Sequence, residues 1–191
     1  MNPIEHFKIW FLEQIENTGV KIPNACCLST IGLDGFPNAR FISLKEITND
    51  GFIITGTLTS RKGNEIWHSN NVALTFWWAE TDRQVRIQGE AAMVSEEVAD
   101  NYFAERNRES QIVSIISQQG DEISVIEELV EKYNALDSES NGKYLKRPDN
   151  WGGYCISPVR IEFMEFNSSR LHDRKLYELV NNEWVLKQLQ P

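Results

Sequence analysis

Residues 72–94, VALTFWWAETDRQVRIQGEAAMV, decide the fold. Positions 72–78 and 84–94 are rich in aliphatic, β-branched and aromatic residues, and the short polar stretch 79–83 joins them as a hairpin. In the second strand Val85, Ile87, Gly89, Ala91 and Met93 share one face, opposite Gln84, Arg86, Gln88 and Glu90. That is the period-2 alternation of a half-buried strand. Upstream, 25–31 leads into an Asp34-Gly35 turn, 39–45 into an Asn49-Asp50-Gly51 turn, and 52–58 is rich in Ile and Thr. Downstream, strand signals at 154–166, 171–179 and 184–189 are separated by turns at 167–169 and 181–182. A helical block at about 95–136 interrupts the strands. Ser95-Glu96-Glu97 places acids at a helix start, and Ser124-x-x-Glu127 has the form of a capping box. Ile126, Leu129, Val130 and Tyr133 follow as an apolar stripe. A further helix opens the chain: Asn2-Pro3 offers a cap and a first-turn proline, and Ile4, Phe7, Phe11 and Ile15 form one face.

Strands on both sides of the helical block predict one sheet, closed as an antiparallel barrel with peripheral helices. The expectation is a mainly β chain folding as a single domain over 1–191, with 95–136 as a helical insertion. Composition agrees with a globular protein: 41% apolar, 25% charged, 11 Gly and 6 Pro exclude collagen-like and low-complexity chains. No run of ~18 apolar residues predicts a membrane span. The first ten residues lack a basic-then-apolar signal design, so the chain reads as soluble and cytoplasmic. The formal charge of −9 argues against a nucleic-acid partner. All of that excess lies in 91–140, with 12 acids and 3 bases, while the remainder balances and gathers its cations into short motifs. Cys26, Cys27 and Cys155 form no disulfide framework or zinc spacing and read as small core residues.

Four cation-bearing motifs could carry chemistry. Thr59-Ser60-Arg61-Lys62-Gly63 puts two cations in the first turn of a helix, where the dipole prefers anions. A bound phosphate would reverse that penalty, whereas side chains reaching solvent would merely tolerate it. In an extended strand Arg170, His172 and Arg174 project to one face, as an anion site or as a basic edge that discourages aggregation. Tyr102, Arg106 and Ser110, at i, i+4 and i+8, make a row of phosphate donors if one helix or a helix plus turn holds them; Arg106 pairing with nearby acids is the alternative. Arg40 and Lys45 fall on opposite faces of one strand, so a shared site needs a bulge or two approaching chains. His6 and His68 have no partners at metal or triad spacing and read as surface residues; no metal site is expected. Glycine-rich dinucleotide and P-loop motifs are absent.

In this order, Arg40…Leu44-Lys45, Ser60-Arg61-Lys62-Gly63, Arg83-Gln84-Val85, Tyr102-Phe103…Arg106…Ser110-Gln111, Trp151-Gly152-Gly153-Tyr154 and Arg170-Leu171-His172-Asp173-Arg174 resemble the pyridoxine (pyridoxamine) 5′-phosphate oxidase family. The resemblance covers nearly the whole chain. It implies an FMN-binding split β-barrel, a homodimer with flavin at the subunit interface, and oxidation of a phosphorylated B6 vitamer with O2 as acceptor. By the same resemblance Arg40, Arg61 and Lys62 hold the FMN phosphate, and Thr55, Gly56, Gln84, Gln119, Gly120 and Arg174 line the rest of the flavin. Lys45, Tyr102, Arg106 and Ser110 grip the substrate phosphate, while Arg170 and His172 face the pyridine ring as the catalytic pair. Met164 stands where the family's Ile-Glu-Phe-Trp carries a flavin-contacting tryptophan. Gly120 replaces a frequent serine, Thr55-Gly56 an aromatic–threonine pair, and Ser43 interrupts an apolar pair. Asn107 replaces the proline of Arg-Pro-Arg, which predicts a looser loop around Arg106. Two alternatives stay open: a related flavoprotein acting on another ring compound, and a non-catalytic FMN or pyridoxal-phosphate binder.

Overall fold

The computed structural model describes residues 2–191. Helix α1 (Pro3–Asn17) starts where the Asn2 side chain accepts the Ile4 N–H at 2.8 Å, and it ends at Thr18. Strands β1 (Ala25–Ile31), β2 (Pro37–Ile47) and β3 (Phe52–Thr57) precede α2 (Arg61–His68). Strands β4 (Asn71–Trp78) and β5 (Arg83–Met93) form the hairpin expected over 72–94, joined by a 3₁₀ turn at Ala79–Thr81. The helices α3 (Glu96–Ala104), α4 (Arg108–Ile116) and α5 (Glu127–Ser140) follow, then β6 (Trp151–Glu165), β7 (Asp173–Val180) and β8 (Glu183–Leu189).

All pairings are antiparallel, in the order β3-β2-β1-β4-β5-β6-β7-β8, and an additional β3–β6 pairing closes six strands into a barrel. The 15 residues of β6 make this possible. Its first half pairs with β3 from Trp151↔Thr57 to Ile156↔Phe52, and its second half pairs with β7 from Arg160↔Glu178 to Glu165↔Asp173. Strands β7 and β8 therefore extend the sheet beyond the closed barrel. The interior is apolar: Leu28, Phe52, Leu74, Phe76, Ile87 and Ile161 are completely buried. Each such side chain contributes roughly 1.5–3 kcal/mol relative to exposure. Helix α1 plugs one barrel end, its Phe7 ring edge-on to Phe52 and Phe76 at 4.9 Å. A second cluster, built on Phe103, Ile112, Leu145 and Trp151, seats the helical block on β3 and β6.

Several local expectations are corrected. The buried face of α1 runs through Ile4, Phe7, Trp10 and Gln14, leaving Ile15 partly exposed. Gln14 is accommodated because its amide donates to Glu80 and its carbonyl oxygen accepts the Thr81 hydroxyl, both at 3.0 Å. His6 is not a surface residue: its ring stacks on Phe163 at 4.1 Å, and burial, with Lys175 nearby, lowers its pKa. Ser124 does not cap α5, which begins at Glu127 without a side-chain cap and runs to Ser140, past the expected end of the insertion. Its apolar stripe is only half covered, with Ile126 and Val130 exposed beside Val113 of α4. Cys26 is buried, which pushes its thiol up to about 12, and all three cysteines are free.

Candidate functional site

The first cation motif sits where the chain leaves β3 and enters α2. Gly63 lets this helix press against the preceding turn, since a Cβ there would collide with the Leu58 carbonyl. Ser60 is the N-cap, yet its hydroxyl donates to the Thr57 carbonyl oxygen at 2.6 Å and accepts from Lys62 Nζ at 2.9 Å instead of capping the helix. One turn on, Glu65 is fully buried. Its carboxylate accepts from Thr30, from Asn38 Nδ2 at 2.6 Å, from Arg40 Nη2 at 3.0 Å and from Arg61 Nε at 2.9 Å. Burial alone would push this carboxyl up, but the hydrogen bonds from Thr30, Arg61 and Arg40 outweigh it and hold its pKa below the usual range. A single buried acid thus fixes guanidinium groups from β2 and α2. The i, i+4 spacing to Arg61 was the available sequence signal for Glu65; its bond to Arg40, 25 residues away, carried none.

Lys62 differs from the two arginines. Among the described residues its ammonium contacts only neutral oxygens, Ser60 Oγ and Gln119 Oε1, both at 2.9 Å. Burial, reinforced by the Arg40 charge, lowers its pKa to about 8. A cleft of about 350 Å³ opens beside it, lined by Thr55, Gly56, Lys62, Arg106, Gln119 and Trp151, among others. Gly56 gives Lys62 its room, because a Cβ would sit 3.2 Å from Lys62 Cε and Nζ. Arg61, Gln119 and Gly120 line an adjoining cleft of about 500 Å³. Gly120 has φ +99°, a conformation that a serine there would adopt only under strain.

The Tyr102, Arg106 and Ser110 row is a helix–turn–helix, not one helix. Tyr102 lies on α3, Arg106 in the connection and Ser110 in the first turn of α4. Asn107, where the resemblance predicts a looser loop, is the N-cap of α4, its Oδ1 accepting the Ser110 N–H at 3.0 Å. The Arg106 guanidinium lies 5.1 Å from the Trp151 ring centroid, and its Nε is buried without a hydrogen-bond partner among the described residues. Tyr102 donates to Glu46 at 2.5 Å, and burial together with that carboxylate raises the phenol's pKa well above its usual value. The register of β2 against β3 shifts between Leu44 and Glu46, which makes Lys45 the bulged residue. Lys45 lies 5.2 Å from the centroid of the Tyr102 ring and pairs with Glu105 at 2.6 Å. The bulge does not unite Arg40 and Lys45 within one chain, since Arg40 is held by Glu65 and Lys45 by Glu105.

The remaining expected residues lie on the β5–β7 side of the sheet. Gln84 is paired with Met164 and Met164 with Arg174, so the three stand in one row across β5, β6 and β7. Arg174 donates to Glu162 at 3.0 and 2.8 Å and to the Gln190 carbonyl oxygen at 3.1 Å. The expected strand face of Arg170, His172 and Arg174 does not form. Strand β7 starts only at Asp173, and Arg170 has φ +66° in the preceding turn. His172 is held in that turn, its Nδ1 accepting the Asn167 N–H at 3.0 Å and its ring edge-on to Phe166 at 5.1 Å. Phe166 in turn meets the exposed Trp77 at 4.9 Å. None of Gln84, Met164, Arg170, His172 and Arg174 lines either cleft around Lys62.

Two family models match the chain. Residues 12–134 match the model described as pyridoxamine 5′-phosphate oxidase, and 151–191 match the pyridoxine 5′-phosphate oxidase C-terminal dimerisation region. Among curated relatives, the pyridoxine/pyridoxamine 5′-phosphate oxidase of a Cyanothece species is 40% identical over 190 residues, covering 100% of this chain and 89% of that protein. The Leptospira biflexa protein of the same name is 39% identical with the same coverage. Of solved structures, PhzG from Burkholderia lata in complex with tetrahydrophenazine-1-carboxylic acid superposes with a TM-score of 0.93 at 33% identity, over 99% of this chain and 92% of that one. An FMN-binding protein from Nostoc punctiforme, at 15% identity and a TM-score of 0.82, shares the fold over 100% of this chain and 99% of its own.

Proposed function

The chain belongs to the pyridoxamine 5′-phosphate oxidase family, and from that premise we propose that it oxidises pyridoxamine and pyridoxine 5′-phosphates to pyridoxal 5′-phosphate with FMN and dioxygen. The observation that carries the reading is the cation cluster at the start of α2. Arg40 and Arg61 are fixed by one buried carboxylate, and Lys62, with no carboxylate partner among the described residues, stands beside a cleft that Gly56 lines. Such a donor set fits a terminal phosphate, whose charge would offset both the burial of Lys62 and its repulsion from Arg40. Arg40, Arg61 and Lys62 would hold that phosphate, with Thr55, Gly56, Gln119 and Gly120 along the cleft and Gln84, Met164 and Arg174 completing the flavin surround. FMN held there supplies the two-electron acceptor and its reoxidation by dioxygen.

The protein's own task is to bind and orient. Lys45, Tyr102, Arg106 and Ser110 take the substrate phosphate, remote from the reacting carbon. Arg170 and His172 flank the ring; with Nδ1 occupied by the Asn167 N–H, His172 presents its Nε2 side to a ligand. These two and the Gln84–Met164–Arg174 row stand apart from the Lys62 cleft, and part of them falls within the region matching the family's dimerisation segment. Both facts support a homodimer in which each site draws on two chains.

The likeness to PhzG favours a second reading, in which the substrate is another ring compound without a phosphate. Arg106→Ala separates the two. The loss of a buried charge partner should raise KM for pyridoxamine 5′-phosphate by an amount equivalent to ~2–4 kcal/mol. An unchanged KM would remove the phosphate site and leave the second reading.

A further inference from the structure

We infer that Glu105 determines how strongly this site takes a phosphorylated substrate, because it competes with the substrate's phosphate for Lys45; the inference rests on the substrate-phosphate site proposed above. Of the four groups assigned to that phosphate, two are already engaged by carboxylates. The Lys45 ammonium is 2.6 Å from Glu105, and the Tyr102 hydroxyl is 2.5 Å from Glu46. An incoming phosphate must therefore displace Glu105 from Lys45 and Glu46 from Tyr102 before it can use either group. Arg106 is the exception among them. It forms no ion pair among the described residues, and its Nε is buried without a partner.

The position of Glu105 explains why it reaches for Lys45. It is the C-cap of α3, its own N–H bonded to the Asn101 carbonyl oxygen at 3.1 Å. A carboxylate at the negative end of a helix is unfavourable, and the Lys45 charge compensates it. The bulge at Lys45 turns its side chain to that helix end. Glu105 is also the residue before Arg106, so one backbone connection carries both the acid that occupies Lys45 and the base left free for substrate. The pair is exposed, with 60% of the Glu105 side chain accessible, so it is weak enough for a phosphate to break. Phosphate binding then exchanges one partner of Lys45 for another, and Arg106 carries most of the gain.

The test uses the flavin-loaded protein and 4-deoxypyridoxine 5′-phosphate, which has neither an aldehyde nor an oxidisable group at C4′, titrated calorimetrically. Removing one negative charge beside the phosphate in Glu105→Gln should tighten binding about fivefold at low ionic strength, less with added salt, and leave unphosphorylated 4-deoxypyridoxine unaffected. Lys45→Ala should weaken binding less than about threefold in the wild type but about tenfold in the Glu105→Gln background, the non-additivity of groups in contact. Unchanged or weaker binding by Glu105→Gln, or an equal cost of Lys45→Ala in both backgrounds, overturns the competition. Arg106→Ala is the separate control: if it too leaves binding untouched, the phosphate site itself is misplaced and the role of Glu105 falls with it.

Discussion

Lys62 is the residue on which pH should act most visibly. Its pKa in the folded chain, about 8, lies below the ordinary lysine value because the ammonium is buried and faces Arg40. Between pH 8 and the ordinary value the unfolded chain holds a proton that the folded one has released, so this group makes the flavin-free protein more stable as pH rises through that window. Anion binding has the opposite sign, because it needs the charged form. FMN affinity, followed by flavin fluorescence, should be flat from pH 7 to about 8 and fall above it, and Lys62→Arg should remove the fall. An inflection that persists in Lys62→Arg would assign the titration to another group. At this scale the sequence was legible where a charge stood in a telling place, as Arg61 and Lys62 do in a first helical turn. It was silent on Glu46, on Glu105 and on the bond of Glu65 to Arg40, pairs whose members lie 56, 60 and 25 residues apart. An acid reads alike whether it is solvated or holds a distant cation.

At the scale of elements, the connection between α3 and α4 shows how a substitution can change mechanism without losing structure. A proline would stiffen this connection through its fixed φ; Asn107 instead caps α4 through the Ser110 N–H. Asn107→Ala should therefore cost ~1 kcal/mol of stability, read as a lowered Tm, and should weaken substrate binding more than flavin binding, because Arg106 is the adjacent residue. An unshifted Tm would show that the cap contributes nothing. Strand positions were legible because glycine, asparagine and aspartate turns punctuate period-2 runs. Two features were not. The alternating pattern of β6 does not reveal that its halves pair with different strands, β3 and β7. Nor did alternation through 170–174 reveal that Arg170 leaves the strand, since a left-handed φ at a non-glycine residue has no signature in hydrophobic period.

For the molecule as a whole, closure of β3 on β6 completes the barrel but leaves β7 and β8 outside it, and leaves the residues assigned to one reaction in separate places. Barrel closure follows from strand count and hairpin order; the spatial division of the site follows from contacts no single-chain pattern encodes. Sedimentation of the purified protein should give a dimer, and an FMN-saturated, active monomer would contradict the shared site. Everything proposed for this fold converges on the reaction itself. It is tested most directly by supplying the FMN-loaded protein with pyridoxamine 5′-phosphate in air and following pyridoxal 5′-phosphate and hydrogen peroxide together. Both should form in equimolar amounts over many turnovers, with little product from unphosphorylated pyridoxamine at the same concentration. A protein that binds FMN and the phosphorylated vitamer yet releases no peroxide, or that turns over both vitamers equally, would contradict it.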